Sequence, residues 1–435
     1  MKTIFRLAFL FLGMTVAFAQ QTPKKWTLQE CVEHAVQNNL SVKQNELSTQ
    51  LQEVEVDRVK SSFLPGVSGS FGADYAFGAP EKNSSFSNSM GIYTNATLYN
   101  GNRTKNAVTL AQKDVEISEL AVEELKSDLA VQVVSAYMNV LFNREGVIIA
   151  QDQLGVGQKL LARMDELVKA GVKAQNDLFQ VQATLAANEE SLVTAQNNLE
   201  LALLELSQLL QVPFAGFDIA DMPITVDEAK LKYSNSEMIY NKALEWRPEI
   251  ISANKQVENS DLEIANAKAG YLPTVTASYS FGTNYLNIAD LASQSGYFKQ
   301  LADNRGHTIG VSASIPIFDK FNTKLNTQRA QVQKLILENA LETKKVNLQA
   351  EVERAYIDAK TSLKTFDAAK KSVEAQEEAF RTAQERYNLG ILTSYDFEQV
   401  RNQLVQARSS FIRAKYNFLF KSKFLEIYYG VPITL

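Results

Sequence analysis

Residues 63–77 read FLPGVSGSFGADYAF, and residues 271–282 read YLPTVTASYSFG. After the first proline, Val67, Gly69, Phe71, Ala73, Tyr75 and Phe77 share one parity, and Ser68, Ser70, Gly72 and Asp74 share the other. A period of two marks a strand with one apolar and one polar face. Met90, Ile92, Thr94, Ala96 and Leu98 repeat the pattern, as do Val275, Ala277, Tyr279 and Phe281, and then Ile309, Val311, Ala313, Ile315 and Ile317. Strands are therefore expected over about 66–78, 89–99, 274–285 and 308–318. A water-soluble sandwich shows the same alternation. Three features favour a membrane: strands near the ten residues that a tilted span requires, tyrosines close to strand ends, and an export leader.

The leader occupies residues 1–19. Lys2 and Arg6 supply its charge, Leu7 to Val16 form an apolar stretch too short to span a bilayer, and Ala17-Phe18-Ala19 has the small-residue cleavage pattern. The protein is expected to leave the cytoplasm and reach the outer membrane. Cys31 lies too far from the cleavage point for lipid attachment there.

The remaining chain reads as one unit written twice. Phe63-Leu64-Pro65 and Tyr271-Leu272-Pro273 are offset by 208 residues, whereas Ala136-Tyr137 and Ala355-Tyr356, Gly171 and Gly390, and Asp177 and Asp396 are offset by 219. The extra 11 residues are expected in a loop around Asn287 to His307. The domain reading is a first repeat over 20–213, a linker over 214–242 and a second repeat over 243–435. Each repeat runs as a helix, two strands, one very long helix, a tight turn and a return helix.

The long helices are expected over 101–170 and 320–389, 70 proline-free residues each. Fully helical, each extends about 105 Å. The return helices, about 175–212 and 395–430, carry heptads: Leu178, Leu185, Leu192, Leu199 and Leu206, then Phe397, Leu404, Phe411, Phe418 and Leu425. A seven-residue apolar repeat keeps one seam against a neighbouring helix, so these stripes read as packing.

A membrane sheet cannot leave its edges in hydrocarbon, so it closes into a barrel. Four strands are half of the smallest usual bacterial barrel, so copies must pool strands. Two copies give eight strands and three give twelve. Only twelve leave a lumen for the polar face, which favours three.

Composition narrows the function. The 435 residues contain 45% hydrophobic residues, one Cys and two His, with 44 basic against 49 acidic residues. No general cationic surface exists for nucleic acid. The enzymatic candidates are poor: Cys31-x-x-His34 lacks a second ligand pair, His307 lies in the insert, and Gly155-Val156-Gly157 falls in a helix. No enzyme activity, metal or cofactor is expected, and Cys31 reads as a buried residue of the first helix. A competing reading, a coiled-coil adhesin or envelope spacer, explains the heptads and leaves the amphipathic strands without a purpose.

The duplicated order, F-L-P and Y-L-P before the strands, P-I-F-D at Pro316 to Asp319 and N-G-N-R at Asn100 to Arg103 resemble the TolC-like outer membrane efflux family. So do the tips A-G-V-K-A-Q-N-D-L (Ala170 to Leu178) and Y-N-L-G-I-L-T-S-Y-D-F (Tyr387 to Phe397). The resemblance covers essentially the whole mature chain. It implies a mainly helical fold with a transmembrane β-barrel portion, built by a homotrimer with a twelve-stranded barrel and a twelve-helix periplasmic tunnel. It implies partners as well: outer membrane lipid, a periplasmic adaptor, and an inner membrane transporter of the RND, ABC or MFS type. The duct would serve tripartite efflux or type I secretion.

The resemblance places adaptor docking at the tips, on Ala170, Gly171, Val172, Leu389, Gly390 and Ile391. It places the aperture at Tyr387, Asp396, Gln399 and Asp177, with Asp396 repeated around the axis as a carboxylate ring. An acid at a helix start also caps free N–H groups. Gln399 stands where the family often has a second acid, and Leu392 where it has a basic lock residue, so gating here is expected to rest on packing and neutral contacts, with Tyr387 available for hydrogen bonding. Gly171 and Gly390 are expected at φ > 0, turning the chain after each long helix.

Overall fold

The computed structural model describes residues 25–77, 84–221, 230–288 and 295–431. The leader lies outside the described residues. The chain runs β1 (Lys25–Trp26), α1 (Leu28–Asn38), α2 (Leu40–Ser61), β2 (Gly66–Ala76), β3 (Ser85–Tyr99), α3 (Arg103–Lys169) and α4 (Gln175–Leu209). It continues with β4 (Asp218–Ile219), α5 (Ser236–Trp246), α6 (Pro248–Lys268), β5 (Thr274–Ile288), α7 (Tyr297–Asp303), β6 (Gly306–Ser314), α8 (Asn322–Asn388) and α9 (Ser394–Tyr429).

Each helix expected at the head of a half is two. Asn39 ends α1 with an extended backbone, and its side-chain oxygen accepts from Ser41 N to start α2. In the second half Pro248 opens α6 at its first turn, which breaks the helix at Arg247. Thr27 and Glu30 form a reciprocal capping box on α1.

α3 and α8 have 67 residues each, about 100 Å of helix. Both begin two residues later than expected, because Gly101 and Asn102, like Lys320 and Phe321, take positive φ values of 56° to 69° between strand and helix. α3 pairs with α4 and α8 with α9, and α3 also touches α9, joining the two hairpins. The heptad residues Leu178, Leu206, Phe397, Leu404, Phe418 and Leu425 are buried, as a packing seam requires. Midway along the shafts, Leu28, Cys31, Val133, Tyr137, Leu206 and Ile219 form the largest apolar core. The Tyr137 hydroxyl donates there to the carbonyl of Ala220 at 2.7 Å, fastening the β1–β4 pair to α3. β4 falls within the segment read as a linker, and α5 begins there and runs past its end at residue 242.

The sheet is antiparallel in the order β2-β3-β5-β6, so β2 and β6 carry its two outer edges. Its register pairs Phe71 with Met90, Ile92 with Phe281, and Tyr279 with Ile309. One face is therefore apolar, and Val67, Phe71, Ile309 and Val311 on it are each 70% to 81% exposed. Ser70, Ser89, Ser278, Ser280 and Ser312 lie on the other face. β3 begins earlier and β5 ends later than expected. β6 stops at Ser314, short of residue 318, because Pro316 has no N–H for the ladder.

The insert expected as a loop contains a helix. β5 runs on to Ile288 and α7 follows at Tyr297–Asp303. Residues 289–294 lie outside the described residues. Tyr297, Gln300, Leu301 and Asn304 recur at helical spacing, and this face of α7 seats it on the sheet.

Candidate functional site at the helical tips

Both hairpin turns share one backbone device. Gly171 has φ +72° and Gly390 φ +73°. Gly171 N donates to Val168 O and Val172 N to Leu167 O, both at 2.9 Å; Gly390 N donates to Tyr387 O and Ile391 N to Arg386 O, both at 3.0 Å. This double closure satisfies the last carbonyls of α3 and α8 and requires a left-handed residue, which glycine adopts without steric cost. The loops are left on the outside: Val172, Leu389 and Ile391 are 66%, 75% and 63% exposed.

The return helices start differently. Thr393 caps α9: its hydroxyl accepts from Asp396 N at 3.1 Å and donates to the Asp396 carboxylate at 2.6 Å. Asp396 is thus the third residue of α9 and the cap is Thr393, a correction to the reading of that acid as the cap. In α4 the corresponding cap position is Ala174, which has no side-chain acceptor.

Beneath the tips an apolar cluster fuses the two hairpins. Leu160 and Met164 of α3, Leu178 and Val181 of α4, and Ala383, Tyr387 and Phe397 of α8 and α9 are all buried in it. Tyr387 stacks on Phe397 with ring centroids 4.6 Å apart. The Arg163 guanidinium lies 5.5 Å above the Tyr387 ring and donates both to Asn388 Oδ1 and, at 3.0 Å, to Asn388 O. Leu392 packs against the same cluster. The position read as lacking a basic lock residue is therefore apolar glue, and a different arginine, on the other hairpin, bridges the tips.

Of the aperture candidates, Asp177 and Gln399 share one groove. They line a groove of about 790 Å³ between α4 and α9, with Lys173, Thr393, Tyr395 and Glu398. Asp396 is exposed outside that lining, and Tyr387 is buried in the apolar cluster. The candidates divide into a polar groove and a packed joint.

Sequence reasoning missed a buried ion pair. Arg401 is only 4% exposed, and its Nη2 lies 2.6 Å from Glu398 Oε2. Arg401 Nη1 and both Glu398 oxygens make no well-angled hydrogen bond among the described residues. Burial pushes the Glu398 carboxyl above its ordinary range, opposed by Arg401, and burial also pushes Arg401 down, opposed by Glu398. Gly157 makes room at this point: a Cβ there would lie 2.8 Å from Asn188 Nδ2 and 4.0 Å from Arg401 Nη1. The available signal was spacing, since Arg401 stands four residues after Phe397 and three before Leu404, inside the apolar stripe.

The family described as "Outer membrane efflux protein" matches the chain over residues 31–211 and again over 239–428. The chain belongs to this family. This efflux protein is 21% identical over 424 residues to the outer membrane protein TolC of Escherichia coli (strain K12), covering 94% of the chain and 83% of TolC. It is 23% identical over 406 residues to the outer membrane efflux protein BepC of Brucella suis biovar 1 (strain 1330), covering 91% and 83%. Its fold matches the outer membrane channel CmeC of Campylobacter jejuni with a TM-score of 0.77 at 19% identity, over 93% of this chain and 85% of that one. The efflux protein is a mainly helical outer membrane channel protein with a TolC-like fold. The reading as a coiled-coil spacer without transport falls away.

Proposed function

We propose that three copies of this chain close a twelve-stranded barrel in the outer membrane and extend a twelve-helix duct into the periplasm. The observation that carries the reading is the sheet: four strands, two outer edges, and an apolar face left uncovered over Val67, Phe71, Ile309 and Val311. Unpaired strand edges in hydrocarbon cost several kcal/mol per group, which neighbouring copies of β2 and β6 remove. The double family match supports two tandem repeats, with the division at 20–213, 214–242 and 243–435.

The duct is passive. An inner membrane transporter of the RND, ABC or MFS type supplies energy and selects cargo, and a periplasmic adaptor docks on Ala170 to Val172 and Leu389 to Ile391. Small and apolar groups exposed at a tip suit helix-to-helix meshing with such an adaptor. At the aperture, Asp396 and Asp177 give rings of carboxylate that favour cations, and Gln399 lines the same passage. Tyr387 and Arg163 hold each pair of hairpins together in the narrow state. The main test is assembly: protein extracted from outer membranes should run as a heat-resistant trimer and conduct ions in a planar bilayer. A monomer without conductance overturns the proposal.

A further inference from the structure

α7 sits at the end of the sheet farthest from the long helices. Asn88 Nδ2 donates to the Tyr297 hydroxyl at 2.7 Å, the Thr283 hydroxyl donates to Leu301 O at 2.7 Å, and the Tyr285 and Tyr297 rings lie 4.7 Å apart. Asn88 pairs with Tyr285, and Met90 with Thr283. By register these residues belong to the face that carries Phe71, Ile92, Phe281 and Ile309. α7 therefore lies on the apolar side of the sheet and leaves the serine-rich side open. It also covers the stretch of β5 that outruns β6: Leu286 N donates to Gln300 Oε1 at 3.1 Å, and Asn304 Nδ2 donates to Asn284 O at 2.8 Å.

Tyr297, Gln300, Leu301 and Asn304 are engaged with the sheet, and Phe298, about 100° around the helix from Tyr297, meets the Tyr297 ring edge-on with centroids 5.3 Å apart and is 84% exposed. Lys299, next to it in the chain, and Arg305, two residues past the end of α7 with its Nε donating to Ala302 O at 2.9 Å, are also exposed, with Asp303 as the acid of the segment. An aromatic ring continuous with an apolar membrane face and flanked by cations is the arrangement of an interfacial anchor.

We propose that α7 is a foot in the outer leaflet of the outer membrane. Phe298 enters the acyl chains just below the headgroups, and Lys299 and Arg305 lie at the level of the headgroup phosphates. This rests on the barrel reading, in which the apolar face meets lipid. The extra residues of the second half then act outside the barrel wall and stay clear of the lumen.

Spin labels at Phe298→Cys and, separately, Ile309→Cys in the trimer reconstituted into lipid vesicles test it. Cys31 is fully buried, so unmodified protein serves as the unlabelled blank. Both labels should collide more with oxygen than with a water-soluble nickel chelate, the label at 309 more strongly. A label at 298 that favours the chelate while the one at 309 favours oxygen overturns the foot alone. Both labels favouring the chelate overturns the barrel reading. Lys299→Gln with Arg305→Gln should raise chelate access at 298 in vesicles containing phosphatidylglycerol and leave it unchanged in phosphatidylcholine. An equal response in both lipids overturns the headgroup contact.

Discussion

Replacing Gly171 separates docking from folding. A Cβ built on Gly171 meets nothing within 4 Å, so a side chain there displaces no neighbour. The cost is backbone alone: φ +72° in an L-residue costs about 1–2 kcal/mol. That strain falls on a turn whose hairpin is held from below by Leu160, Met164, Leu178 and Val181, so the tip should keep its shape. Gly171→Ala and Gly171→Leu carry similar strain and differ in the bulk they present outward. Export measured by resistance to a toxic substrate, with trimer yield from outer membranes as the control, should fall slightly for the alanine variant. For the leucine variant it should fall at least tenfold with trimer yield intact. Equal losses in the two variants would mean that strain, not docking, governs the phenotype. Normal export with leucine refutes the docking assignment.

Arg163→Ala removes the bridge to Asn388 and the contact over Tyr387; at about 1 kcal/mol per chain, about 3 kcal/mol for the proposed trimer, it should shift the closed aperture toward open roughly a hundredfold, seen as higher resting conductance in planar bilayers. Asp396→Asn keeps a polar partner for Thr393 and removes the charge, so trimer stability should hold while the cation-to-anion permeability ratio falls; an unchanged ratio excludes the ring. Arg401→Met should destabilise the tip bundle by about 3–5 kcal/mol, whereas Arg401→Met with Glu398→Leu should be neutral or stabilising by about 1–4 kcal/mol, read by thermal unfolding. Because the Glu398 pKa is raised in the fold, its contribution is fully present below the ordinary value of 4.5 and is lost as pH climbs through the raised value. In an Arg401→Met background, Glu398→Gln should therefore flatten the pH dependence of unfolding over that window.

What could be read from sequence followed strict periods. Dyad alternation located β2, β3, β5 and β6, and heptads located the seam of α4 and α9, because both patterns repeat across many residues. The two glycines were legible because the turn they make admits few alternatives. What escaped depends on partners far away in the chain. α7 rests on four residues that contact β3 and β5, whereas the break at Arg247 has its cause next door, in Pro248. Arg163 gains meaning only when Asn388, 225 residues later, arrives beside it. Asp396 was recognised as important at its helix start, but the neighbouring threonine performs the capping.

Tyr137 is fastened near the middle of α3, and 34 residues separate it from Gly171, a span of about 50 Å. Such a shaft behaves as a lever with its fulcrum in the β1–β4 belt. A tilt of only about 5° at that fulcrum swings the far end by about 4 Å on an arm of this length. In the proposed trimer, three levers tilting together would dilate the mouth by several ångströms once the Arg163 bridge to Asn388 is released.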